Sequence, residues 1–313
     1  LFAKTTAGVL AANGIKVYLF ESLRTTPELS FSVKHLNCFG GVVITASHNP
    51  PQYNGYKLYD ENGCQLIPSL ADAVTDYVNK IDNEFSVKCL SLEEAGDLIE
   101  IVGEKIDKAY YEKVLALQFD PDKERNIKVV YTPQHGTGNI PVRYVLKTTG
   151  YDVTPVLSQC EPDPNFSGTK SPNPEMTEAY EKAMELAKEQ NADIAIATDP
   201  DCDRLGAIIR CKDGKYRLMT GNQSGAVILY YVLLRNKERG TLPQNGVMFN
   251  TVVTSVIGDK IAEHFGVEVE KTLTGFKFIG DKIKEHNAKG DKKFLFGYEE
   301  SYGCLIGDFV RDK

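Results

Sequence analysis

Three short segments of the chain hold residues whose types and spacing could do chemistry. The first, Thr45-Ala46-Ser47-His48-Asn49-Pro50, sets a serine hydroxyl in a tight loop. That hydroxyl could act as a nucleophile or carry a phosphate, although a plain turn is the commoner reading of such turn-forming residues taken alone. His48 is not expected to partner Ser47, because adjacent side chains seldom face each other. No G-x-S-x-G elbow surrounds the pair either, so a Ser–His hydrolase is disfavoured. The second segment, Asp199-Pro200-Asp201-Cys202-Asp203-Arg204, sets three carboxylates at alternate positions. They repel one another unless a cation sits among them. Donors that are all oxygen select a hard ion such as Mg²⁺ or Mn²⁺. Arg204 would suit a phosphate held on that ion; the alternative is a solvated acidic turn paired with Arg204. An EF-hand loop is excluded, because its sixth and twelfth places would be Arg204 and Arg210 instead of Gly and Glu. A phosphatase loop of the D-x-D-x-T kind does not fit either, since its fifth place is Asp203. The third segment is Gly297-Tyr298-Glu299-Glu300-Ser301-Tyr302-Gly303. It offers acidic and hydroxyl groups that can chelate neighbouring sugar hydroxyls, and an ordinary polar loop is at least as common.

Each segment directly follows an apolar run that reads as a strand: Gly41–Thr45, Asp193–Ala197 and Lys293–Phe296. Loops at the carboxyl edges of strands are where α/β proteins gather reacting groups, so the three can face one cleft. Other strands are expected at Ile15–Phe20, Ile127–Tyr131, Leu205–Arg210 and Gly246–Thr251. Helical spacing recurs at Leu70, Val74, Tyr77 and Ile81, at Ile106, Tyr110 and Val114, and over Met176–Gln190. A buried helix is expected over 222–236, and further helices close at Gly14, at Gly266 and over Phe276–His286. Glu161–Glu175 is too rich in proline for regular structure. Alternating strands and helices imply an α/β fold. Weak boundaries near Leu117–Asn126 and Arg217–Asn222 divide the chain into three units of similar size.

Composition narrows the partners. The chain has 313 residues, 42% hydrophobic and 25% charged, which excludes general disorder. Its net charge of −7 argues against nucleic acid, whose phosphates need a basic face. Seven scattered cysteines include no C-x-x-C pair, so free thiols in a reducing compartment, the cytoplasm, are expected. The longest apolar run, Ala226–Leu234, is too short to span a bilayer.

A hydroxyl, a divalent-ion site and a sugar-reading loop are the parts that phosphoryl transfer needs. On these residues the chain resembles the α-D-phosphohexomutase family, in its phosphoglucomutase branch. TASHNPPQYNGYK (Thr45–Lys57) is similar to the family's phosphoserine loop and DPDCDR to its metal loop, where position 202 is usually small. Thr272-Leu273-Thr274-Gly275-Phe276-Lys277 and GYEESYG are similar to its sugar-recognition segments. The resemblance covers nearly the whole chain in family order. It implies three consecutive α/β domains with mixed sheets and the active site in the cleft between them. These would be 1–117 with the phosphoserine loop, 118–218 with the metal loop and 219–313 for sugar recognition. It implies interconversion of glucose 1-phosphate and glucose 6-phosphate through a hexose 1,6-bisphosphate, which also serves as activator.

The same resemblance implies that Ser47 carries the phosphate. One Mg²⁺ per chain would be held by Asp199, Asp201 and Asp203 with a Ser47 phosphate oxygen. Lys57 and Lys313 would act as proton carriers; Arg204, with His48 in a secondary place, would contact phosphate or substrate; and Thr274, Gly275, Glu299 and Ser301 would meet the sugar. His135 is expected to be structural. Family members are longer at both ends, so the chain is expected to lack the N-terminal start and the C-terminal phosphate-binding domain, and by itself to be weakly active or inactive. In the mannose-using and glucosamine-using branches a histidine stands four places after the Glu; here that place is Gly303. Phosphomannomutase or phosphopentomutase activity, a non-catalytic phosphosugar-binding protein and an acid phosphatase remain as alternatives.

Overall fold

The computed structural model describes residues 1–313 as three α/β units along the chain. The first unit runs α1 (Phe2–Ala12), β1 (Val17–Phe20), α2 (Thr26–His35), β2 (Gly40–Ile44), β3 (Tyr56–Asp60), α3 (Pro68–Val78), α4 (Leu92–Ala95), β4 (Ile99–Val102) and α5 (Glu104–Leu115). Its strands form two separate pairs, β1 with β4 parallel and β2 with β3 antiparallel. The α2 helix starts as its sequence dictates: the Thr25 hydroxyl accepts from the Glu28 N–H, and Pro27 fills the first turn.

The second unit runs β5 (Lys128–Thr132), α6 (Asn139–Thr148), β6 (Asp152–Pro155), α7 (Glu181–Gln190), β7 (Ile194–Thr198), β8 (Leu205–Arg210) and β9 (Tyr216–Leu218). Its sheet order is β6-β5-β7-β8-β9, parallel as far as β7 and antiparallel beyond. Val129, Val130, Tyr131, Ala195 and Ala197 are buried, as expected of central strands covered on both faces. The third unit runs α8 (Gly221–Glu238), β10 (Gly246–Thr251), α9 (Ile257–Phe265), β11 (Glu268–Thr272), α10 (Phe276–Lys289), β12 (Lys293–Tyr298) and β13 (Cys304–Ile306). Its sheet order is β11-β10-β12-β13, with β13 antiparallel. The α9 helix stops at Gly266, whose φ of 72° is left-handed backbone.

The units meet through specific contacts. Phe31 and Ile106 of the first unit share one core cluster with Val247, Phe249, Phe276 and Val310 of the third. The Thr26 N–H donates to the Asp201 carbonyl at 3.0 Å, and the Leu205 N–H to the Tyr302 carbonyl at 3.1 Å. These bonds tie the acidic segment to both neighbours. No helix is long and apolar enough to cross a membrane, and all seven cysteines are free thiols.

The helical spacing of Leu70, Val74 and Tyr77 is met by α3, although these residues and Ile81 are exposed and α3 buries nothing. One expectation is corrected. The α8 helix is not buried all round. Leu229, Val232 and Leu233 face inward, while Val227, Tyr230 and Tyr231 are exposed. An unbroken apolar run does not reveal which side meets the sheet.

A close helix–strand approach lies behind the third segment. Tyr298 is fully buried. A Cβ on Gly225 of α8 would stand 2.2 Å from its ring, and one on Gly258 of α9 would stand 2.1 Å from its hydroxyl. Gly225→Ala gains about 1 kcal/mol of helix propensity but forces repacking that costs about 1–3 kcal/mol. Net destabilisation is the expected result in denaturant unfolding.

Candidate active site

Ser47 follows β2 in the left-handed region, with φ of 52°. The Thr45 hydroxyl accepts from its N–H at 2.8 Å and fixes the turn. The turned backbone aims the Ser47 hydroxyl at the second unit, where it donates to Asp199 Oδ2 at 2.7 Å across 152 residues of sequence. His48 Nδ1 lies 3.0 Å from the same hydroxyl, which corrects the expectation that these neighbours would not meet. The positive φ is the reason: it rotates successive side chains toward one side. The three groups still do not make a hydrolase triad. Nδ1 of His48 faces both Ser47 and, at 3.8 Å, Asp199, whereas a relay needs the two ring nitrogens on opposite partners.

The acidic segment follows β7. Asp199 is fully buried and Asp201 is 4% exposed, and one oxygen from each of Asp199, Asp201 and Asp203 lies within 4.8 Å of the others. Asp199 Oδ1 accepts from the backbone N–H groups of Asp203 and Arg204 at 3.1 and 3.0 Å, which shapes the loop. Cys202 takes a φ of 58° to let the flanking carboxylates converge. Burial, with Asp199 alongside, pushes the Asp201 carboxyl up to about 6, and burial with Asp201 alongside also raises Asp203. Asp201 Oδ1 and Asp203 Oδ1 are buried and lack a hydrogen-bond partner. Converging, partnerless, all-oxygen donors fit a hard divalent cation.

Lys57 comes from β3, which the sequence reading did not identify; YKLYD buries only Tyr59 and carries no strong apolar signal. Its Nζ donates to Asp201 Oδ2 at 3.1 Å and Asp203 Oδ2 at 3.5 Å. Burial alone would lower this amine, but Asp201, Asp203 and Asp312 outweigh it and push it well up. Arg204 turns from the carboxylates to pair with Glu175 at the end of the proline-rich segment, its Nε staying 3.9 Å from Asp203. No sequence signal linked Glu175 to the site.

The third segment closes the cleft. Glu299, 3% exposed, accepts from the Gly275 N–H at 2.8 Å and from Lys313 Nζ at 3.0 Å. Lys313 is held protonated by Asp203 and Glu299 despite its burial. Gly303 leaves space that this side chain uses: a Cβ there would stand 2.1 Å from the Lys313 side chain, which would have to shift. Thr274 is exposed at the lip, and Ser301 is half-buried. Glu300 points elsewhere, accepting from Thr251 and Thr254 at 3.0 and 3.1 Å. His135 is structural: Nδ1 meets the Glu161 carbonyl at 2.8 Å, and Nε2 accepts from the Gly168 N–H at 3.1 Å.

A serine hydroxyl, an acidic triad, two part-buried lysines and a glutamate therefore face one cleft between three α/β units. Comparison with known proteins agrees with that arrangement. The phosphoglucomutase/phosphomannomutase alpha/beta/alpha domain I matches residues 1–85, domain II residues 108–213 and domain III residues 220–313. A phosphoglucomutase of Staphylococcus epidermidis is 40% identical over the whole chain, which spans 56% of that relative's length. Among solved structures, a Thermus thermophilus protein assigned as a phosphomannomutase superposes with a TM-score of 0.79 at 27% identity, over 100% of this chain and 65% of its own. An Aspergillus fumigatus N-acetylphosphoglucosamine mutase, solved with GlcNAc-6P and magnesium, shares the fold with a TM-score of 0.61 at 17% identity, over 97% of this chain and 65% of its own. The chain belongs to the α-D-phosphohexomutase family.

The raised Asp201 carboxyl has a stability consequence. Its folded value of about 6 lies above the ordinary 3.8, so the fold holds the proton more tightly than the unfolded chain does. Metal-free stability therefore falls as pH rises from about 4 to about 6, and the loss is complete above that. Asp201→Asn is expected to raise metal-free stability at pH 7 by on the order of 2 kcal/mol, to change nothing at pH 3, and to shrink the stabilisation by Mg²⁺. Thermal unfolding with EDTA and with Mg²⁺ reads all three.

Proposed function

We propose that the protein containing this chain interconverts glucose 1-phosphate and glucose 6-phosphate, with Ser47 as phosphate carrier. The observation that carries the reading is the 2.7 Å approach of the Ser47 hydroxyl to Asp199 within the acidic triad. A binding protein has no need of a hydroxyl placed there, and a hydrolase would need a water-activating base that the His48 geometry does not supply. The proposed unit boundaries fall after residues 117 and 218.

In the proposed reaction a substrate hydroxyl attacks phosphorus on phosphorylated Ser47. The new O–P bond forms as the Ser47 Oγ–P bond breaks, and the product is a hexose bisphosphate. The hydroxyl proton passes to the neutral amine of Lys57 or Lys313, according to which end of the sugar faces Ser47. That lysine must first have given up its own proton, which for Lys57 requires Asp201 and Asp203 to be drawn away from it. The intermediate turns end for end, and its other phosphate returns to Ser47 with the reverse proton movement. Glu299, Thr274, Gly275 and Ser301 hold the sugar in either orientation, because chelation of paired hydroxyls demands less shape than a closed pocket. Arg204 and His48 flank the phosphate. A Mg²⁺ held by Asp199, Asp201 and Asp203 would neutralise charge on the moving phosphoryl group and relieve the pull that now keeps Lys57 protonated.

The glucose preference rests on the third segment. Position 303, four places after Glu299, is a glycine, and the Lys313 side chain occupies the space a larger residue would take there.

Two measurements on the whole protein test the reading. Ser47→Ala is expected to abolish phosphate uptake at residue 47, seen by intact mass after incubation with glucose 1,6-bisphosphate, and to lower turnover by at least about a thousandfold. Steady release of inorganic phosphate without sugar isomerisation would instead favour a phosphatase. Rates on glucose, mannose and ribose 1-phosphates are expected to be highest for glucose, and faster mannose turnover would reverse the assignment.

A further inference from the structure

Behind the two lysines lies a buried pair that the proposed reaction has not used. Tyr59 stands two residues after Lys57 on β3, so the two side chains emerge on one face. Its hydroxyl donates to Asp312 Oδ2 at 2.6 Å, and the Lys313 N–H donates to Asp312 Oδ1 at 2.9 Å. Tyr59 and Asp312 are each 3% exposed. Asp312 thus adjoins Lys313 in sequence and, through Tyr59, is fastened to the strand that carries Lys57. A fully desolvated carboxylate is costly unless positive charge lies near it. Burial does raise the Asp312 carboxyl, opposed first by Lys57, then by the Tyr59 hydrogen bond and Lys313.

The carboxylates that bind Lys57 here, Asp201 and Asp203, are those expected to turn to a cation. Asp312 is not one of the triad, so its bonds to Tyr59 and to the Lys313 N–H stay in place when those carboxylates turn. We propose that Asp312, clamped by Tyr59, is a positioning residue: it fastens the backbone at Lys313 of the third unit to the strand that carries Lys57 of the first, and so keeps the two lysines in register at the phosphate site when the triad holds its metal. This rests on the mutase reading for its purpose, while the placement of the lysines can be tested without it. The pair also spans two units, so it registers the two proton carriers against each other and not only against their own backbones.

The test compares Asp312→Asn and Tyr59→Phe with Lys284→Met in the whole protein. Lys284 bonds Asp60 at 3.1 Å across the same unit boundary and takes no part in the site, so it reports a purely structural loss. Both positioning variants are expected to lower kcat at least tenfold with KM within twofold. Their thermal midpoints should fall no further than that of Lys284→Met, which keeps its kcat. In crystals with Mg²⁺, the Lys57 and Lys313 ammonium groups of Asp312→Asn should be displaced or split between conformers. Lysines unmoved in those crystals, or kcat losses that simply track the thermal midpoint, would overturn the proposal. Ordered wild-type lysines that are displaced in Asp312→Asn support it even if Ser47 never takes up phosphate, an outcome that sinks the mutase reading alone.

Discussion

Mutual repulsion of three buried carboxylates is the constraint around which the molecule is arranged. Two unit charges about 4 Å apart repel by roughly 4 kcal/mol at the effective dielectric of a protein surface. Asp199, Asp201 and Asp203 crowd together with little exposure. The structure answers that cost locally: two backbone N–H groups cap Asp199, Lys57 reaches in from another unit, and Asp201 is eased toward its neutral form. That cost would be the source of affinity for a small, doubly charged ion, because binding would relieve repulsion already present in the fold.

The same constraint explains why three units must close on one point. The triad sits in the second unit, its lysine and its serine come from the first, and Lys313 comes from the third. Bonds from Thr26 to Asp201 and from Leu205 to Tyr302 hold the acidic segment against both flanking units. The core cluster containing Phe31, Phe249 and Val310 fastens the first unit directly to the third. A site assembled in this way is sensitive to packing far from any reacting atom, as around Tyr298, whose closeness to Gly225 and Gly258 fixes the strand that delivers Glu299.

Much of this was readable from the chain because the candidate site residues lie just after strong strands. The runs before Ser47, Asp199 and Glu299 are β2, β7 and β12, and their carboxyl ends do meet. What escaped was information carried by partners distant in sequence. The β3 strand is stabilised by pairing with β2 and buries only Tyr59, so its residues lack a clear alternating pattern. The Arg204–Glu175 pair joins a loop to a segment without regular structure. The Ser47–His48 contact depends on one left-handed backbone angle, which a non-glycine residue does not advertise. The α3 stripe marked its helix correctly, but periodicity reports that a helix has an apolar face and not that anything covers it.

The central claim is that the serine and the triad share one ion-bridged phosphate. Crystals of the whole protein, phosphorylated on Ser47 and soaked with Mn²⁺, test it through anomalous scattering. The account predicts a single strong peak within bonding distance of one oxygen from each of Asp199, Asp201 and Asp203 and of a phosphate oxygen on Ser47. A peak elsewhere, or a phosphorylated Ser47 turned away from an ion on the triad, would contradict it.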